Sequence, residues 1–510
     1  MVSILKEVRD FKRFKEIIGI LLEFGFDSIV NKINLHHSVP LKERVKSKSK
    51  NLTRKSKIVK PEVRLRRTLE KLGPTFVKFG QVLSLRPDLI PPSYTKELEK
   101  LLDRVNPISY NVVKDIIEKE LGKPLSQVFK SFDKKPIASA SISQIHKAVL
   151  KNGDKVVVKV QRPNIKKLME TDIDIMEYIA KLVENHFPKF RKYNPINLVK
   201  EFKNWTEKEL DFKLEARNTK RFHNNFAKDN HVIIPKVYDK FSTEKVIVLE
   251  YIEGIELNNL DKAIKKYKVD ADKLMKISLD AILKMVFVHG LFHADPHPAN
   301  ILITKKGKVA FVDFGIVGYF DDKLKGKSID LLFGIIESDA DMIVHTIMSM
   351  GFDTGDVNIA EFREQIASII EPLQFSSLKD IKISSVLDDI INIPLEHSFR
   401  IPPQFVLFGK TIITLEGIAL EYNPNFKIAE ATKPFLEKVM KQRTSPGYIF
   451  KNFVHNINRY KTFMDEFPEK ADMAMDKLSK GSFKVDVKDV EIRRLAFELD
   501  KSSNRIAYGL

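Results

Sequence analysis

FHADPHPANILITKKGKVAFVDFG, running from Phe292 to Gly315, places two short apolar runs between candidate oxygen ligands. Ile301-Leu302-Ile303 and Val309-Ala310-Phe311-Val312 are split by the turn signal Lys306-Gly307-Lys308, so the pattern predicts a β-hairpin. Such a hairpin brings Asn300 and Asp313 to one end, where two oxygen ligands can share one Mg²⁺. On nucleotide phosphates that ion takes one or two carboxylates plus phosphate oxygens and waters, not a full protein cage. Asp295 stands five positions before Asn300 in the preceding loop, and Asp313 opens an Asp-Phe-Gly triplet.

A lone Asp-Phe-Gly arises by chance and most often marks an ordinary turn; its company and order decide the reading. Upstream, KVVVKVQRP (Lys155 to Pro163) follows Asn152-Gly153-Asp154 and reads as a strand carrying Lys159 among apolar neighbours. On exposure alone such a lysine is a solvated edge residue. Here it follows a small-residue loop and precedes a helical segment, Leu198 to Phe222, which carries Glu209, Asp211 and Glu215. Glu215 is placed to pair with Lys159 and hold its ammonium on the α- and β-phosphates. In this order Lys159, Glu215, Asp295, Asn300 and Asp313 resemble the site of protein kinases, with Asp295 catalytic and Asn300 and Asp313 on metal.

Two features depart from an ordinary kinase. No G-x-G-x-x-G precedes the lysine strand; PIASASISQIHKA (Pro136 to Ala148) stands there instead. Alanine costs less backbone freedom than glycine but cannot approach a phosphate so closely, so this loop should be stiffer and grip nucleotide differently. The phosphate loop of Walker-type NTPases is also missing from the sequence. The second feature is FVKFGQVLSLRPDLIP, which sets Lys78, Gly80 and Gln81 inside an apolar helical pattern. Taken alone, Lys78 beside Phe76 and Phe79 reads as a snorkelling lysine and Gln81 as a surface residue.

Together these motifs resemble the UbiB-type (aarF-domain, ADCK) atypical kinases over about Leu65 to Phe435. KFGQ at Lys78 to Gln81 is similar to the family's K-x-G-Q element, and ASAS at Ala138 to Ser141 to its Ala-rich loop. VVVKVQRP at Val156 to Pro163, ELDF followed by Glu215-Ala216, HADPHPAN and DFG complete the set. The resemblance implies an α+β, protein-kinase-like bilobal fold, with a small β-rich lobe and a large helical lobe. It places an N-terminal helical extension carrying K-x-G-Q across the active site. It further implies ATP or ADP with Mg²⁺, and a role in ubiquinone or other isoprenoid-lipid biology at membranes. Lys78 would pair with the gating acids Glu209 or Asp211 and act in catalysis beside Asp295 and Lys159, while Gln81 would sit near Lys159. Ala138, Ser139, Ala140, Ser141, Lys159, Glu215 and Gln81 would bind the nucleotide. Two positions depart from the family: Ala299 replaces the usual Gly, and Ser139 the usual Ala. A positive φ at Ala299 would cost about 1–2 kcal/mol; Ser139 adds a hydroxyl that contacts phosphate or caps a turn.

His293 and His297 lie four apart near Asp295, but the intervening proline breaks the helical geometry a zinc pair needs. His293 therefore reads as a structural residue orienting the loop. Asp172 and Asp174 look like a helix start, where acidic residues suit the dipole.

The chain has 510 residues, 43% of them hydrophobic, enough for a large core, and no cysteine, which excludes disulfides and thiol chemistry. The N-terminus lacks the apolar core of a signal peptide, and no apolar run reaches the 18 residues of a membrane span. A cytoplasmic, peripherally membrane-associated protein is expected. Family members commonly continue into C-terminal apolar helices, so either the chain is shortened or its attachment is peripheral. The net charge is +19, from 87 Lys and Arg against 68 Asp and Glu, concentrated in the linker-like tract Lys42 to Lys60. That tract lacks aromatic residues to stack on bases, so an anionic lipid surface ranks above nucleic acid as partner. Phe11 to Ile33 gives a broad apolar helical face, suited equally to a bilayer interface, a partner helix or the protein's own core.

The expected organisation is an N-terminal helix and basic linker at 1–60, a helical K-x-G-Q extension at 61–135 and a small lobe at 136–250. A large lobe at 251–440 and a C-terminal helical segment at 441–510 follow. Strands fall at Val156–Val160 and Val246–Glu250, and Glu250 and Ile252 mark the hinge whose backbone meets the adenine. Three functions compete: a phosphoryl-transfer or ATP-hydrolysing enzyme acting beside lipid; a nucleotide-driven partner that extracts lipid intermediates, such as quinone precursors, or organises lipid-biosynthetic enzymes; and a conventional protein kinase. A helix across the cleft disfavours peptide substrates and so the last of these.

Overall fold

The structure, a computed structural model, describes residues 10–33, 35, 60–84, 90–101, 105–188, 191, 194–294, 297–350, 359–374, 402–423 and 426–443, with short pieces at 385–393 and 445–472. The valine run after Asp154 sets the small lobe. Strands β1 (Phe129–Phe132), β2 (Ala138–Ser139), β3 (Ser143–Leu150) and β4 (Lys155–Gln161) are joined there by the later β6 (Val246–Glu250). They form one antiparallel sheet in the order β1-β3-β4-β6, with β2 on β3. Strand side chains alternate between faces. Val156, Val158 and Val160 are fully buried on one face, in a core with Val113 and Ile117. Val157 packs on the opposite face with Phe212 and Ala216, and the same alternation puts Lys159 on that face.

The longer helices described beside this lobe are α1 (Phe11–Glu23), α2 (Pro61–Leu72), α3 (Pro74–Ser84), α4 (Pro92–Leu98), α5 (Tyr110–Leu121), α6 (Ile165–His186), α7 (Pro195–Glu209) and α8 (Phe212–Asn225). The segment read as helical from Leu198 to Phe222 is two helices. Asp211 breaks it with an extended backbone, and its carboxylate caps α8 by accepting from Lys213 N at 2.9 Å. The residues 129–132 assigned to the helical extension are strand β1.

Two further expectations are corrected. Asp172 and Asp174 do not start a helix: α6 begins at Ile165, after Asn164 in the left-handed region at φ 58°. Asp172 lies inside α6, fully buried, and accepts from Arg13 Nε at 2.7 Å and Arg13 Nη2 at 3.1 Å. The apolar face of Phe11–Ile33 does not face a bilayer in this fold. Phe14, Ile17, Ile18, Leu22, Val30 and Ile33 are buried in one cluster with Leu69 and Leu72 of α2, Phe76 of α3 and Ile173 and Ile175 of α6. Each fully buried side chain of this kind is worth about 1.5–3 kcal/mol relative to exposure to water, so this packing holds α1 on α2, α3 and α6. The basic tract, apart from Lys60, lies outside the described residues.

The large lobe is helical around two small sheets. β5 (Val232–Ile233), β10 (Val309–Phe311), β9 (Ile301–Thr304) and β7 (Gly254–Glu256) form one, while β8 (Leu291–His293) and β11 (Val317–Tyr319) form the other. Ala271–Leu283, Asp322–Ile336, Ala340–Ser349, Ile359–Gln374, Pro403–Tyr422 and Ile428–Arg443 are its main helices. Phe292, Phe320 and Phe408 meet edge to face, with centroids 5.2 to 6.3 Å apart, and fix the second sheet against Pro403–Tyr422. The chain divides into two compact units, residues 1–436 and 437–510. The first carries the kinase-like bilobal α+β fold. The described residues of 441–510 are too few to assign that segment a structure.

Candidate active site

The hairpin read from the sequence is present. Val309, Ala310 and Phe311 pair antiparallel with Ile303, Leu302 and Ile301, around a turn with Gly307 at φ 68°. Its open end joins the two candidate ligands, because Val312 N donates to Asn300 O at 2.9 Å. Asn300 closes a short 3-10 turn, Pro298–Asn300. Ala299 lies within that turn and is not among the residues with positive φ, so the strain considered for it does not arise. Asp313 does carry positive φ, 63°, and its Oδ1 accepts from Gly315 N at 3.2 Å. An aspartate held in the left-handed region is uncommon and gathers at functional sites. His293, fully buried, has Nε2 3.0 Å from Val312 O, the structural role expected of it.

Lys159 is held between two carboxylates. Nζ donates to Glu215 Oε1 and Oε2 at 2.9 and 3.0 Å and to Asp313 Oδ2 at 3.3 Å, with the Phe212 ring centroid 5.5 Å away. Burial works against its charge, yet Asp313 and Glu215 together raise its pKa above the usual lysine value. Burial, reinforced by the nearby Asp313 charge, pushes Glu215 up to about 7 despite Lys159. Asp313 is held below the usual carboxylate range: burial opposes its charge, but Lys159 and the Gly315 N–H favour it. Two carboxylates share one ammonium, and the Asp313 charge contributes to the rise at Glu215, so a cation beside Asp313 suits the cluster. Asp313, its side chain 44% exposed, is the member that faces outward. A carboxylate and an amide oxygen on the hairpin's open end form an all-oxygen donor set that fits Mg²⁺ carried in on phosphates. Among the described residues no group of three or more His, Cys, Asp or Glu gathers to hold a metal alone. Asp295 lies outside the described residues.

The K-x-G-Q helix α3 reaches this site through α7. Lys78, 7% exposed, pairs with Glu209 at 2.5 Å and lies 5.1 Å from the centroid of Trp205. Glu209 ends α7, one short break before the helix carrying Glu215. Of the two gating acids, Glu209 thus meets Lys78, while Asp211 caps α8 and lies 3.7 Å from Arg217. Gly80 sits close to its neighbours: a Cβ there would meet Leu101 Cδ1 at 2.4 Å and Leu69 Cδ1 at 2.8 Å, so these buried leucine ends would have to shift. Gln81 Nε2 donates to Leu101 O at 3.2 Å, so its amide serves the backbone at the end of the extension.

The Ala-rich loop forms β2 and the turn after it. Ala138 pairs with Ile145 and Ser139 with Gln144, while Ala140 N donates to Ser143 O at 2.8 Å. None of Ala138, Ser139, Ala140 and Ser141 has positive φ. Ser139 Oγ accepts from Arg162 Nη2 at 2.8 Å, and the buried Ser141 Oγ has no hydrogen-bond partner among the described residues. At the hinge, Glu250 ends β6 and its carboxylate accepts from Lys236 N at 3.2 Å. Tyr251 N donates to Lys155 O at 3.0 Å, and Ile252 follows, half-buried.

Several residues of the site carry no motif signal. Asn218, one turn beyond Glu215 on α8, donates to Phe314 O at 3.2 Å, and Phe222 stacks on Phe314 with centroids 4.4 Å apart. The helix that supplies Glu215 therefore also positions the Asp-Phe-Gly turn. Helical periodicity puts Glu215, Asn218, Thr219 and Phe222 on one buried face, the only signal that pointed to Asn218.

Residues 100–347 match the ABC1 atypical kinase-like domain and residues 366–427 the UbiB helical domain. A probable protein kinase UbiB from Aliivibrio fischeri is 32% identical over 478 residues, covering 92% of this chain and 86% of the relative. An uncharacterized Synechocystis protein is 33% identical over 438 residues, covering 84% of this chain and 74% of the relative. A solved complex of the Mycobacterium tuberculosis protein Rv3197 with erythromycin covers 68% of this chain and 92% of its own, at 23% identity and a TM-score of 0.46. With its lysine held by a helix glutamate, its closed hairpin and its K-x-G-Q helix, the chain belongs to the UbiB family of ABC1 atypical kinase-like proteins.

Proposed function

We propose that this protein binds ATP or ADP with Mg²⁺ and acts as an atypical kinase or ATPase supporting ubiquinone or other isoprenoid-lipid metabolism at an anionic membrane surface. The observation that carries the reading is Lys159 held between Glu215 and Asp313, with Asn300 O bonded to Val312 N, the neighbour of Asp313, across the hairpin's end. Bound Mg²⁺-nucleotide supplies a phosphoanhydride whose charge the metal partly neutralises. The protein's part is placement. Asp313 and Asn300 would hold the metal, Glu215 would aim the Lys159 ammonium at the phosphates, and Asp295 would orient the acceptor and take its proton. The name of the Aliivibrio relative, probable protein kinase UbiB, agrees with this class.

A second reading, a nucleotide-driven lipid-extracting or complex-organising partner with little phosphotransfer, is favoured by the Lys78–Glu209 pair. That pair ties the extension to the helices beside the nucleotide site. Such a link passes movement between the two as readily as it shapes a substrate cleft. Calorimetry of Mg-ATP and Mg-ADP with wild type and Asp313→Asn tests the common core of both readings. Loss of Asp313 should weaken Mg-nucleotide binding at least about tenfold, or ~1.4 kcal/mol; unchanged affinity refutes it. Turnover with and without anionic lipid and quinone-precursor-like phenols then separates the two readings. The described residues contain no helix long and apolar enough to cross a membrane, and the apolar face of α1 is committed to the core. Attachment to lipid therefore rests on the basic tract Lys42–Lys60 in this proposal.

A further inference from the structure

Arg162 follows Lys159 by three residues at the end of β4, and its guanidinium is committed to the Ala-rich loop. Nε donates to Ala140 O, and Nη2 to both Ser139 Oγ and Asn106 O, each at 2.8 Å. Its backbone N–H donates to Ile142 O, also at 2.8 Å. A second buried side chain works on the same loop from β3. Gln144, 0% exposed, accepts at Oε1 from Ile108 N at 2.8 Å and from Ser139 Oγ at 3.4 Å. Its Nε2 lies 3.3 Å from Ile108 O and 2.9 Å from His146 Nε2. His146 Nδ1 is 2.8 Å from Asp133 O, which can only accept. The proton therefore sits on Nδ1, and Nε2 accepts from Gln144. Val105 N completes the set by donating to Ser139 O at 3.4 Å.

These bonds make the loop at 138–142 and the segment at 105–108 one body. That segment follows Leu101, whose carbonyl Gln81 of the K-x-G-Q helix engages. A planar guanidinium reaches three acceptors at fixed angles, which a lysine ammonium on a flexible stem does not. We propose that Arg162 is a positioning residue that clamps the Ala-rich loop to the end of the K-x-G-Q extension and thereby sets the preference between nucleoside triphosphate and diphosphate. The second half rests on the nucleotide-binding reading above; the clamp itself needs no nucleotide.

The test uses the full chain as wild type, Arg162→Ala, Arg162→Lys and Ser139→Ala. Hydrogen exchange without nucleotide is read in peptides covering 105–108, 137–143 and, as control, 246–250. Calorimetry gives the Mg-ATP to Mg-ADP affinity ratio. Arg162→Ala and Arg162→Lys should each raise exchange about tenfold in the first two peptides together, leaving the control unchanged. The affinity ratio should move about fivefold or more, and Ser139→Ala, which removes one acceptor, should move it less in the same direction. Faster exchange in only one of the two segments overturns the clamp, as does a rise spread equally through 246–250. Coupled exchange with an unchanged affinity ratio overturns the role in nucleotide preference. Wild type binding neither nucleotide overturns the reading of the site, and the exchange data still judge the clamp.

Discussion

Arg13→Ala should destabilise the small-lobe side of the protein far more than a surface ion pair would. Asp172 is fully buried and takes Arg13 Nε and Nη2 at 2.7 and 3.1 Å. Arg13 Nη2 also donates to Leu72 O at 2.6 Å, so one guanidinium joins α1, α2 and α6. Burial works against the arginine's charge, but Asp172 and then Glu16 keep its pKa above the ordinary value. Truncating Arg13 leaves a carboxylate out of reach of water with its partner gone, and breaking a buried pair this way costs about 3–5 kcal/mol. Replacing both partners by apolar residues, Arg13→Met with Asp172→Leu, should cost far less, since no charge is then stranded. Trp205 is the chain's single tryptophan and sits on α7, so its fluorescence reports this region during urea unfolding. Wild type, both single variants and the double variant form a cycle. A cost for Arg13→Ala below about 1 kcal/mol, the range of exposed pairs, would refute the claim that α1 is locked to the core through Asp172.

Gly80→Ala should cost about 1–3 kcal/mol by thermal unfolding, because the added Cβ meets Leu101 and Leu69; an unchanged midpoint would show that α3 sits farther from them. Lys78→Ala should leave folding intact yet change both nucleotide turnover and Trp205 emission, since Lys78 bridges Trp205 and Glu209; unaltered turnover would count against gating. Asn218→Leu should weaken Mg-nucleotide binding without touching a charged group, because Phe314 O loses its donor, and equal affinity by calorimetry would leave Asn218 a packing residue. Co-sedimentation with acidic liposomes should fall with salt, and fall again when Lys46, Lys48, Lys50 and Lys55 become Gln, at about 1 kcal/mol each. Equal binding to neutral and acidic liposomes would remove the tract from the account.

The parts of the fold that the sequence made legible are those where local pattern and tertiary demand agree. The hairpin at 301–311 carried its apolar runs and its turn glycine in a window of eleven residues, and nothing distant had to be known. The break between α7 and α8 was hidden, because Leu198 to Phe222 keeps a helical pattern through Leu210-Asp211. Only the extended backbone of Asp211 and its bond to Lys213 N mark the stop. The acidic pair at 172 and 174 misled for a related reason. Carboxylates near an apparent helix start satisfy the dipole rule, but the rule cannot see Arg13, 159 positions away, reaching Asp172 in the interior. Likewise the face of Phe11–Ile33 advertised an apolar surface without saying what covers it, and the covering residues come from α2, α3 and α6.

At the site, charged groups were legible and their supports were not. Lys159, Glu215 and Asp313 meet as their spacing implied, because a buried charge tolerates few environments and so leaves a recognisable pattern. The supporting residues, Asn218 at the Asp-Phe-Gly turn and Gln144 and Arg162 at the Ala-rich loop, act through backbone carbonyls and amides, and any sequence supplies those. Gln81 shows the same limit from the other side: its amide serves Leu101 O, a backbone group 37 residues before β2 opens at Ala138. Between them stand Val105 and Ile108, which bond to Ser139 O and to the Gln144 side chain. Beside the pair of Lys78 and Glu209, α3 thus makes a second contact route, from Gln81 Nε2 to Leu101 O. In the readings proposed above, Lys78 acts through Glu209 at the end of α7, and Arg162 acts on the Ala-rich loop. A substitution that cuts one route should therefore leave the other working, which is why the Lys78 and Arg162 variants are expected to differ in what they change.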